Sequence, residues 1–119
     1  MSDEPVAGFR PSELAKPASG EEFRYHANAR EDGRGALIAE GNAPTSGNRF
    51  FFCPIVSGSP WPVVSPARFE LRMICPTGAV DVERTPFRLT QLLIAVKPGA
   101  TITVTDGGGD HPVTIMEER

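Results

Sequence analysis

Residues 68–75 read RFELRMIC, and they separate cleanly into two faces: Phe69, Leu71, Met73 and Cys75 on one, Arg68, Glu70 and Arg72 on the other. A repeat of two residues is the signature of an extended strand with one face buried and one in water. Working outward, the same punctuation recurs. Upstream, Arg49 to Val56 is an apolar run broken by Pro54, which predicts a strand buried on both faces as far as Cys53 and an edge or bulge beyond it. Between these two runs, Ser57 to Pro66 carries Pro60, Pro62 and Pro66 around Trp61. Proline has no donor for a ladder, so this segment reads as an irregular connection.

Further upstream, Phe23, Tyr25 and Ala27 alternate with Arg24, His26 and Asn28, a half-buried strand. Asp32, Gly33, Arg34 and Gly35 then supply a hairpin turn, Ala36 to Glu40 returns as its partner strand, and Gly41 to Asn48 reads as a loop. Downstream, Ala79 to Val82 is a short run. Thr85 stands as a helix N-cap before Pro86, and Leu89, Leu92, Leu93 and Val96 recur at helical spacing until Lys97, Pro98 and Gly99, so a helix is expected over about residues 86–96. Ala100 to Asp106 and Pro112 to Met116 form a last hairpin around Gly107, Gly108 and Gly109. The expected fold is mainly β, a small antiparallel sandwich or barrel of about seven short strands with one α-helix.

At 119 residues the chain has room for one domain, and 39% hydrophobic with 23% charged residues is a globular balance. Twelve glycines and twelve prolines fit many turns and short elements. Residues 1–20, with Pro5, Pro11 and Pro17, read as an extended Pro-rich N-terminal arm whose apolar cluster is Val6, Phe9 and Leu14; residues 21–119 read as the compact domain. Deleting the arm is therefore expected to leave the domain's melting temperature nearly unchanged. A net charge of −3 offers no basic footprint for nucleic acid or an anionic membrane. No apolar run approaches the ~20 residues of a membrane span. The acidic opening Met1 to Glu4 lacks the regions of a secretory signal, which points to a soluble chain that is cytoplasmic or assembled into a particle.

Candidate chemistry is sparse. Cys53 and Cys75 each end an apolar strand before a proline, and with His26 and His111 they offer a metal-ligand set, although no pair has the spacing of structural zinc sites. Two reduced thiols are the simpler reading, and one disulfide is the alternative. Asp106 to Asp110 encloses three glycines but has no Lys-Ser or Lys-Thr after it, so it reads as a hairpin tip rather than a phosphate loop. His26 and His111 lack the surroundings of a catalytic base. The run from Phe69 to Thr105 is loosely similar to the start of the histidine phosphocarrier proteins of sugar transport, with Arg84, Thr85 and Pro86 near that family's His-x-Arg-Pro; the phosphorylated histidine is absent, and the likeness is set aside as coincidence.

No cofactor, small-molecule substrate or enzymatic activity is expected. The ten arginines against two lysines and the rigid aromatic area of Trp61 and Phe50 to Phe52 suit protein interfaces. The reading is a non-enzymatic structural or interaction protein: an accessory subunit of a larger assembly, as in virus-particle decoration or stabilising proteins, that binds a protein partner or its own copies through Phe9, Leu14 and Trp61. The alternatives are a free-standing inhibitor or adaptor binding through the Trp61 loop, and a metal-dependent module using Cys53, Cys75, His26 and His111.

Overall fold

In the computed structural model, which describes residues 11–55, 68–77 and 83–118, the alternating run is strand β5 (Arg68–Ile74), with Phe69, Leu71 and Met73 buried. The other strands are β1 (Glu13–Leu14), β2 (Arg24–Ala29), β3 (Gly35–Ala43), β4 (Arg49–Pro54), β6 (Thr85–Leu93), β7 (Thr101–Asp106) and β8 (Gly109–Glu117). They form one sheet in the order β1-β5-β7-β8-β2-β3-β6, with β4 on the other edge of β5. The sheet is mixed, not the antiparallel sandwich expected from sequence: β5 runs parallel to β7, and β2 parallel to β8. It curls into a half-barrel with its core inside.

The expected helix over about residues 86–96 is replaced by β6. Thr85 to Leu93 pairs residue for residue with Ala43 to Gly35 of β3, and exposure alternates along it with a period of two. Two periodicities coincide in this stretch. Leu89, Leu92, Leu93 and Val96 fit a helix, while Phe87, Leu89, Gln91 and Leu93 fit a strand. The nine-residue edge of β3, most of it buried, decides between them, because a strand laid along it pairs its backbone groups out of water. Thr85 does not cap: its hydroxyl donates to the Glu83 carbonyl at 2.9 Å. Beyond β6, Ala95 adopts a φ of 55° and Val96 turns in, its N–H donating to the Gly33 carbonyl at 3.0 Å.

Register places one face of every strand inside. Phe52 lies opposite Leu71, Phe69 opposite Val104, Ile102 opposite Val113, Ala27 opposite both Ile115 and Leu37, and Gly35 opposite Leu93. Small residues line the tight inside of the curl at β2 and β3. A Cβ on Gly35 would run into the Asn28 carbonyl, and one on Gly41 would sit 2.6 Å from the Phe23 ring. The two ends of the sheet meet through side chains, with Phe50 of β4 stacked on Phe87 of β6 at 4.0 Å and 5° between planes.

Residues 11–20 of the arm lie on this sheet. β1 pairs with Arg72 and Met73 of β5, on the side where β7 has already ended. Ala15 is fully buried; its N–H donates to the Leu71 carbonyl and its carbonyl accepts from Gly107, both at 2.8 Å. The Ala18 N–H reaches the Asn42 carbonyl at 3.1 Å. Arg72 clamps the strand from outside, donating to the Ser12 hydroxyl at 3.1 Å and carbonyl at 3.0 Å while pairing with Glu70.

Candidate functional site

Two places on the molecule are candidates. The first is a polar cluster inside the half-barrel. Asp106 ends β7 in step with Ile102 and Val104, so it points inward, and it is 4% exposed. Its Oδ2 accepts from the Tyr25 hydroxyl at 2.6 Å. Its Oδ1 takes the Gly108 N–H at 2.7 Å and meets His111 Nε2 at 3.0 Å. The Tyr25 and His111 rings lie 5.4 Å apart. Burial first, and then the hydrogen bond to Asp106 and its charge, hold the Tyr25 phenol well above its ordinary pKa. On the outer face of this hairpin, Thr105 donates to Asp110 at 2.6 Å and, with Arg68, holds that carboxyl below its usual range.

This cluster joins β7 and β8 to β2 across the sheet and fixes the glycine turn. Gly107, where a Cβ would lie 2.6 Å from Lys16 Cγ, lets the turn close against residues 15 and 16. The carboxyl is occupied by three neighbours, and a buried group so satisfied acts as a latch. Sequence reading placed Asp106 in a hairpin tip and His111 at the surface. Carrying the alternation of Ile102 and Val104 one step further, and noticing that it returns at His111, would have found both.

The second place is the outer face of β2, β3 and β6, where outward positions form rows across the strands. At one end, Glu40 sits between Arg24 at 3.8 Å and Arg88 at 3.4 Å. In the middle stand His26, Ile38 and Thr90. At the other end the row is Met116, Asn28, Ala36 and Leu92, all in register. There Leu92 is 76% and Met116 62% exposed, at the two ends of the row, and Ile94, just past the end of β6, is 69% exposed. A groove of about 420 Å³ runs over Asn28, Ala36 and Leu92, bounded by Arg30, Arg34 and Glu118. Arg30 pairs with Glu118 at 3.3 Å and Arg34 with Asp32 at 3.8 Å.

Of the described residues singled out from sequence, His111 and His26 lie in these two places and Leu14, Cys53 and Cys75 do not. Leu14 lies in β1, half-buried and opposite Arg72, and Phe9 and Trp61 lie outside the described residues. The proposed metal set is dispersed. Cys53 stands opposite Glu70, whereas Cys75 follows Ile74, which stands opposite Arg49. Five positions along β5 amount to about 16 Å, far beyond the ~7 Å reach of a disulfide, and neither cysteine forms one. Asn48 donates to Cys75 Sγ at 3.2 Å. His26 is exposed on the outer face and His111 is bound to Asp106. Among the described residues, no three His, Cys, Asp or Glu side chains gather as a metal site, and no helix is long and apolar enough to cross a membrane. Comparison with protein-family models, with curated proteins and with solved structures finds no match to this chain.

Proposed function

We propose that this chain is a non-enzymatic interaction protein, an accessory subunit of a larger protein assembly. The observation that carries the reading is one end of the outer face, where Leu92 and Met116, with the strands of Asn28 and Ala36 between them, and Ile94 just past β6 are exposed large apolar side chains, while the other end of the face is an ordered ion ladder. Large apolar side chains exposed along one end of a sheet face and rimmed by charge suit a protein contact. The inner polar cluster supports the same reading, since its carboxyl binds its own neighbours. By architectural analogy, a decorating or stabilising subunit of a particle such as a virion is one such assembly.

The test is native purification of the full chain from the cells or particles that make it, with crosslinking before lysis. The expected result is a complex of fixed stoichiometry and a mass above 12.8 kDa, from which Leu92→Glu with Met116→Glu is missing. A chain recovered alone at its own mass after crosslinking overturns the reading.

A further inference from the structure

We infer that the seat of β1 receives an extended strand in trans, and that its occupant there is residues 11–18 of a second copy of this chain, exchanged for the first copy's own. The inference goes beyond the outer face, which it does not use. It starts from what the seat recognises. Ala15 fills a fully closed position, its N–H donating to the Leu71 carbonyl and its carbonyl accepting from Gly107. Arg72 reads Ser12, donating to its hydroxyl at 3.1 Å and to its carbonyl at 3.0 Å. Main-chain bonds for affinity and side-chain fits for register are how a sheet edge takes a peptide. The pattern selected here, a serine with an alanine three places on in an extended chain, occurs once in the sequence, at Ser12 and Ala15. Nothing in this recognition depends on which copy supplies the strand.

The tether agrees with this. The segment joins the rest of the described chain through one turn, Ala18 to Glu21, closed by a bond from the Glu21 N–H to the Ala18 carbonyl at 3.0 Å. Its middle residues, Ser19 and Gly20, are exposed, and Gly20 has a φ of 80°. Straightening the turn breaks that one bond. Asn42 holds both flanks, its carbonyl accepting from Ala18 at 3.1 Å and its amide donating to Glu21 Oε1 at 3.0 Å. In the exchanged form the Glu21 bond stays within one copy and the Ala18 bond passes to the other, so reciprocal exchange about a two-fold axis repeats every contact. A short tether holds its own strand at an effective concentration on the order of millimolar, so exchange belongs to copies packed as densely as in an assembly.

The experiment is sedimentation equilibrium of the full chain, wild type against Gly20→Pro, whose ring forbids the positive φ of the closed turn. Gly20→Pro is expected at twice 12.8 kDa, with a dimer dissociation constant lower than that of the wild type by about tenfold or more. Adding Ala15→Arg, or an excess of a synthetic peptide of residues 9–20, is expected to return it to monomer. A folded Gly20→Pro chain that stays monomeric at every concentration overturns the exchange, while the crosslinking test of the outer face stands by itself. A dimer that neither Ala15→Arg nor the peptide disturbs overturns its assignment to this seat. Should Gly20→Pro not fold, wild-type chains of ordinary and heavy isotope composition are refolded together at high concentration and weighed by native mass spectrometry. Mixed dimers are then expected, and their absence overturns the proposal.

Discussion

Tyr25 is the only tyrosine in the chain, so its phenol can be followed alone. Below about pH 10 it is protonated in both the folded and the unfolded chain and adds no pH dependence. Above that, the unfolded chain releases a proton that the folded chain keeps, so stability is expected to fall by about 1.4 kcal/mol per pH unit. Tyr25→Phe is expected to remove this alkaline slope and to cost about 1.5–3 kcal/mol at neutral pH, the worth of a hydrogen bond to a carboxylate. Denaturant midpoints against pH check both, and in the wild type the tyrosinate absorption band is expected to rise only as the chain unfolds. A second pair of substitutions separates the two faces of the sheet. Leu92→Asp, which a helical reading puts in the core, changes an exposed side chain and is expected to shift stability by no more than about 0.5 kcal/mol. Leu37→Ala, fully buried inside, is expected to cost about 2–5 kcal/mol.

At the scale of elements, the described residues 11–20 pair with the sheet through β1, Ala15 and Ala18. Removing residues 1–18 strips Ala15 from the core together with the backbone bonds to Leu71, Gly107 and Asn42, a loss of about 2–5 kcal/mol at ~1 kcal/mol per bond plus burial. Chemical denaturation of that truncation is therefore expected to show a lower midpoint, where an arm reading foresees almost no change. The same segment shows what a sequence can and cannot display. β5 was legible because a half-buried strand writes its own alternation, and the β2–β3 hairpin because Asp32 and Gly33 mark its turn, with Gly33 at a φ of 87°. β1 was not, since two residues carry no period and its partner lies some sixty positions away. β6 carried two periods at once, and only the waiting edge of β3 selects one. The inner cluster was half legible: alternation reaches Asp106 and His111, but that both meet Tyr25 depends on β8 running parallel beside β2, a pairing without a local signal.

For the whole molecule, the pairings that close the sheet are distant ones, β5 with β7 and β2 with β8, and such a topology folds slowly because long loops must close before contacts form. Stopped-flow refolding is expected in the range of about milliseconds to seconds. The two outermost strands meet differently from all others. Among the described residues β4 pairs only with β5 and β6 only with β3, and between them stands the stacked pair of Phe50 and Phe87. Rings can slide apart and return without a single ladder bond being broken. The molecule is thus built like a spring cuff with a greased clasp: strain applied to it is relieved first along that one line, and amides on the facing edges of β4 and β6 should trade hydrogen for deuterium well before those of Ala27 to Ala29 in β2, which are flanked by ladders on both sides.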